Sequence, residues 1–146
     1  MILLLLAFES SAKSASVALL QDGKILGEYT QNSGQTHSRT LLKMAEDLLR
    51  NCDVSVGDLT HTAVAAGPGS FTGLRIGVSA AKGLAWALDK PCCGVSTLEA
   101  MAENGRSFEG TVICAMDARR QQIYNAIFTF HEGELTRRCE DRGWFR

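Results

Sequence analysis

The chain has 146 residues, 45% of them hydrophobic, and its 15 lysines and arginines nearly balance 16 acidic residues. That length holds one core of ordinary size and little more, and a net charge of −1 excludes a dedicated nucleic-acid binder, which carries a basic excess. Five cysteines (Cys52, Cys92, Cys93, Cys114 and Cys139) with no CxxC spacing exclude a zinc cluster and a disulfide framework and point to a reducing, cytoplasmic setting.

The apolar run 2–8 predicts a strand covered on both faces. It lacks a basic start and Glu9 follows at once, so it reads as a strand and not as a leader. No stretch approaches the roughly 20 apolar residues of a membrane span. A small polar turn at 10–14 leads to strands over 15–20 and 24–30, joined tightly at Asp22–Gly23. A helix is predicted over 37–50, with Thr36 or Ser38 as cap. Its apolar residues Leu41, Leu42, Met44, Ala45, Leu48 and Leu49 span about 160° at helical spacing, more than one sheet needs. A strand over 61–66 and a glycine-rich turn precede a second helix, 73–88. On that helix Arg75, Ser79, Lys82 and Trp86 share one narrow side and nearly everything else is apolar or small. A strand over 91–95 and a short helix over 97–104, capped by Ser96 or Thr97, complete the order βββαβαβα. That order predicts a mixed sheet with helices on both faces and resembles the ribonuclease-H-like lobe of the actin and sugar-kinase (ASKHA) superfamily.

A second unit begins at Gly110. An apolar strand over 111–116 ends in Asp117, a turn with Arg119 follows, then a strand over 122–130, Glu132–Gly133 and the start of another strand. This repeats the plan of the first 28 residues and reads as an internal duplication. The division is placed as 1–109, a complete lobe, and 110–146, the start of a truncated second lobe. Strands without covering helices cannot bury a sheet face, so roughly the last 30 residues, with Trp144 and Phe145 near their end, are expected to be poorly supported or covered by another molecule.

Several motifs bear on chemistry. The turn Gly67-Pro68-Gly69-Ser70-Phe71-Thr72-Gly73 leads into a helix N-terminus, where free amides and the helix dipole favour an anion. It is neither a Walker A loop nor G-x-G-x-x-G, and a plain turn with Ser70 or Thr72 as helix cap explains it equally. Glu9 and Asp117 end matched strands. With Ser10, Gly67, Gly69, Ser70 and Thr72 they would form a vestigial phosphate cleft, or simply bond turn amides. His37, His61 and His131 are scattered, without HExxH, and no serine sits in G-x-S-x-G, so no catalytic or metal-ligating set is assigned. The arginine pairs 119–120 and 137–138, with Arg142 and Arg146, read as solvated surface. Gly73, Gly77, Ala81 and Ala85 recur every four residues, a ladder that admits a close backbone neighbour. With the wide arc of the first helix it predicts a helix-to-helix interface comprising Leu41, Leu42, Ala45, Leu48, Leu49, Gly73, Leu74, Gly77, Val78, Ala81, Lys82 and Ala85.

The strings LAFESSAKSASVAL, THSRTLL, AAGPGSFTGLRIGVSAAKGLA and MDARRQQIY together resemble the TsaB (YeaZ) family. That resemblance implies an actin-superfamily fold and a tRNA-modification role. The family pairs with a paralogue, TsaD, and together with the ATPase TsaE installs threonylcarbamoyl on adenosine 37 of tRNAs reading codons that start with A. It also implies that TsaD holds the metal and the chemistry. The TsaB-like chain is then a non-catalytic dimerisation subunit, with weak or no ATP and magnesium binding, which meets tRNA only through the complex and pairs with itself when alone. The implied interface helices are those over 37–50 and 73–88. The chain departs from the family in length and in Glu9, where the superfamily often has Asp. Two rivals remain at this point: an actin-class ATP-binding protein or small-molecule kinase using Glu9, Asp117 and the 67–72 turn, and a metallopeptidase.

Overall fold

Alternation of buried and half-buried positions along the first strand sets the architecture. The computed structural model describes residues 1–145, the last for its backbone alone. Arg146 and the Phe145 side chain, placed above in a basic cluster and an apolar tail, lie outside the described residues. Two units are distinguished, Met1–Ala66 with Ser70–Gly94, and Gly67–Gly69 with Val95–Arg146.

The first unit is built on strands β1 (Leu4–Glu9), β2 (Ala15–Gln21), β3 (Lys24–Gln31), β4 (His61–Gly67) and β5 (Cys92–Ser96), in the order β3-β2-β1-β4-β5. Strands β1 and β2 pair antiparallel with Ala7 opposite Ala18, whereas β1 and β4 run parallel with Ala7 opposite Ala63. The mixed sheet is therefore as expected. The β2–β3 turn uses Asp22 at φ 50° and Gly23 at φ 81°, the left-handed pair that a two-residue hairpin requires. Because side chains alternate across a strand, Leu4, Leu6 and Phe8 bury on one face together with Val17 and Leu19.

Two helices cover that face. From α1 (His37–Asn51), Leu41, Met44, Ala45, Leu48 and Leu49 join the core, and from α2 (Phe71–Leu88), Ala81 does. Within this unit the buried residues of both long helices join one core cluster with that row of strand side chains. The apolar arc of α1 and the small ladder of α2 converge on the same row of strand side chains. Helix α2 starts at Ser70, whose Oγ accepts the Gly73 N–H at 3.4 Å, and stops at Asp89 in the left-handed conformation.

The second unit contains α3 (Thr97–Ala102) and strands β6 (Gly110–Arg119), β7 (Gln122–His131), β8 (Glu134–Arg137) and β9 (Arg142–Phe145). Its sheet runs β6-β7-β8, and β9 pairs with the first part of β7, Ile123 opposite Trp144. Leu98 and Ala102 of α3 bury against Cys114, Ala126 and Phe128. The second compact unit begins at Val95, and its α3 packs on the second sheet. Of roughly the last 30 residues, Phe128 and Phe130 are almost fully buried, whereas Trp144 stays exposed. Ser96 caps α3, accepting the Glu99 N–H at 3.2 Å and donating to Asp141 at 2.7 Å. Arg137 closes the unit by pairing with Glu99 at 2.9 Å and Asp141 at 2.7 Å while its guanidinium lies 4.8 Å over the Phe128 ring. The duplication holds down to the turns: Glu132 at φ 50° and Gly133 at φ 78° repeat Asp22–Gly23 almost degree for degree.

Candidate functional site

The ladder of α2 points inward. A Cβ on Gly73 would stand 2.1 Å from the Ser10 carbonyl oxygen, and one on Gly77 would stand 2.3 Å from Ser10 Oγ and 3.4 Å from Val64. Hydrogen bonds lock this approach, from Ser10 Oγ to the Gly73 carbonyl at 2.8 Å and from the Ser70 N–H to the Ser11 carbonyl at 2.7 Å. Thr62 Oγ1 donates to the Ala81 carbonyl at 3.2 Å. Small side chains are therefore spent on seating α2 against the β1–β2 turn and β4. Of the residues expected at a partner interface, Leu41, Ala45, Leu48, Leu49, Gly73, Gly77, Ala81 and Ala85 are buried inside the first unit. Leu74 and Val78 are half-buried, and only Leu42 (58% exposed) and Lys82 stand free.

What the helices do present is a shallow trough of about 510 Å³ between α1 and α2. Leu41, Ile76 and Ala80 contribute its buried and half-buried lining, with His37, Leu42, Phe71, Thr72, Arg75 and Ser79 around them. Phe71 is 74% exposed, and the Arg75 guanidinium lies 5.3 Å from its ring centre. His37 is fixed by a 2.8 Å bond from its Nε2 to the Ala12 carbonyl. Among the described residues no carboxylate lines the trough. Further along α2, Trp86 is 88% exposed. Phe71 escaped the sequence reading because it precedes the expected helix start at 73. Its place directly after the capping Ser70 was the available signal.

The phosphate-cleft residues divide between the units. In the first, Glu9 Oε1 accepts the Ser11 N–H, and Ser10 is buried beneath α2. Ser70 caps that helix and Thr72 is exposed beside it. In the second, Asp117 Oδ1 accepts the Arg119 N–H at 2.7 Å. Each acid thus bonds the amide two residues on, the same capture in both halves of the duplication. Gly67, at φ 124°, and Gly69 belong to the turn between β4 and α2. Among the described residues no group of three His, Cys, Asp or Glu could hold a metal ion, and no helix is long and apolar enough to cross a membrane.

The family described as TsaD: tRNA N6-adenosine threonylcarbamoyltransferase matches residues 24–140. A Bacillus subtilis (strain 168) protein named tRNA threonylcarbamoyladenosine biosynthesis protein TsaB is 40% identical over 94% of this chain. The chain belongs to the TsaB (YeaZ) family. An Escherichia coli (strain K12) TsaB of the same name is 37% identical over 90% of the chain. YeaZ from Pseudomonas aeruginosa superposes with a TM-score of 0.89 at 31% identity, over 97% of this chain and 67% of its own. The chain spans 60% of the length of the Bacillus TsaB and 57% of the Escherichia one. Membership in the TsaB family accounts for the mixed α/β architecture.

Proposed function

We propose that this chain is a non-catalytic scaffold subunit of the assembly that makes N6-threonylcarbamoyladenosine at adenosine 37 of tRNA. It pairs with a TsaD paralogue through the trough between α1 and α2. The observation that carries the reading is that trough: an apolar channel rimmed by Leu42, Phe71 and Arg75, on a chain whose relatives are named biosynthesis proteins of this modification. Aromatic and arginine side chains are the usual anchors of protein interfaces, and a channel between two helices accepts the apolar face of a third. Engagement of Glu9 and Asp117 by their own turn amides supports a supporting role and weak or absent binding of ATP and magnesium. In this reading TsaE joins the pair, tRNA is met through the complex, two copies associate when TsaD is absent, and the setting is the cytoplasm.

Co-purification with a TsaD paralogue tests it. Leu42 and Phe71 are both exposed, so Leu42→Glu with Phe71→Asp leaves the fold intact. Each apolar side chain contributes about 1.5–3 kcal/mol when buried, so the double change weakens the pair at least about a hundredfold. Undiminished affinity of the double variant rules out this trough as the docking surface.

A further inference from the structure

The turn between β6 and β7 breaks a rule that the other two hairpins obey. Two-residue hairpin loops need positive φ at both central positions and select Asn-Gly or Asp-Gly. Asp22–Gly23 and Glu132–Gly133 comply by placing glycine second. At the third hairpin Arg119 pairs with Gln122 across the loop, and Arg119, Arg120 and Gln121 take φ of 63°, 51° and 62°. Three consecutive side chains with a Cβ thus occupy a backbone region disfavoured for all of them. Strain of this kind persists where the side chains themselves are needed.

Two of these three side chains, Arg119 and Arg120, are exposed guanidinium groups. Among the described residues, neither lies within 4.0 Å of a carboxylate. Every other described arginine of this unit is engaged: Arg106 with Glu103, Arg137 with Glu99 and Asp141, Arg138 with Thr129, and Arg142 with Asn125. The Asp117 carboxylate, which could have neutralised a neighbour, accepts the Arg119 backbone N–H and so braces the turn. Guanidinium groups match phosphate oxygens in geometry and charge, and a braced hairpin tip presents both without further ordering.

We propose that Arg119 and Arg120 contact the phosphodiester backbone of RNA. The choice of RNA as the polyanion rests on the tRNA-modification reading above. Because the chain has a net charge of −1, these two residues make a weak, salt-sensitive contact of their own and act chiefly as an auxiliary clamp within an assembly.

The test separates strain from function. Replacing Arg119→Asn, Arg120→Asn and Gln121→Gly supplies the residues that the turn geometry favours, so the variant melts at a higher temperature. Binding of a fluorescein-labelled tRNA transcript is followed by anisotropy between about 50 and 200 mM salt, for the chain with its TsaD paralogue and for the chain alone. The plot of log affinity against log salt is expected to flatten by about two in the variant, one for each lost phosphate contact. Arg119→Lys with Arg120→Lys restores that slope. Equal slopes and affinities in wild type and the triple variant overturn the inference. Size-exclusion of the same mixtures reports whether the paralogue pairs at all. If it does not, the scaffold reading fails, and the turn is judged on the titration of the chain alone.

Discussion

Replacing Gly73 with alanine tests the seating of α2 most directly, because the obstruction is backbone. The new Cβ would stand 2.1 Å from the Ser10 carbonyl oxygen, and real Cβ contacts essentially never fall below 3.0 Å. The helix and the turn must therefore part by at least 0.9 Å, the difference between those two distances. That movement stretches the Ser10 Oγ to Gly73 bond and the Ser70 to Ser11 bond, each contributing about 1 kcal/mol. Residual overpacking adds roughly 1–3 kcal/mol. Alanine recovers about 1 kcal/mol of helix propensity over glycine, which leaves a net loss of roughly 2–4 kcal/mol. For a chain of this size that lowers the melting temperature by roughly 5–15 °C. Gly83, in the same helix, provides the control: nothing lies within 4 Å of its added Cβ, so Gly83→Ala is expected to stabilise by about 1 kcal/mol. Urea titrations followed by far-UV circular dichroism compare the two variants. A Gly73→Ala protein as stable as wild type refutes the claim that α2 rests on the Ser10 turn.

Two further outcomes concern the second unit. Burial pushes the Cys114 thiol up from its ordinary value, so the folded state holds this proton more tightly than the unfolded chain does. Its contribution is intact below about pH 8.5, where a free thiol begins to ionise. It is lost as pH rises through the folded value, at up to about 1.4 kcal/mol per pH unit. Melting curves between pH 8 and 10 should fall more steeply for wild type than for Cys114→Ala, and parallel curves contradict the assignment. Ser96→Ala removes the cap of α3 and its bond to Asp141. A loss of about 1 kcal/mol is expected in the urea midpoint, and an unchanged midpoint shows that the cap is idle.

Most elements were legible because their periodicities are strong: the apolar run of β1, the arc of α1 and the Asp-Gly and Glu-Gly hairpins all stand where the residues placed them. The direction in which a small residue faces was not legible. A row of Gly73, Gly77, Ala81 and Ala85 permits any close neighbour, and nothing in the row says whether that neighbour is Ser10 of the same unit or a helix of another chain. The packing of α3 was not legible for a similar reason. Leu98 and Ala102 make an apolar pair on a six-residue helix, and adjacency in sequence suggested the first sheet while packing chose the second. Strand β9 was missed because its pairing with β7 spans about twenty residues and leaves no local pattern. The exposed trough was half visible: Leu41 and Leu42 were named, whereas Phe71 and Ile76 emerge only once the buried ladder fixes which side of α2 faces outward.

The parallel pairing of β1 with β4 carries a consequence for synthesis. His61 sits beside Leu5 in that register, so one edge of β1 must wait for chain made more than fifty residues later. At about 5–20 residues per second this interval lasts roughly 3–11 s. Throughout it the row Leu4, Leu6 and Phe8 has only the β2–β3 hairpin and α1 for company, and the nascent chain depends on holding factors or on speed to reach β4 unaggregated.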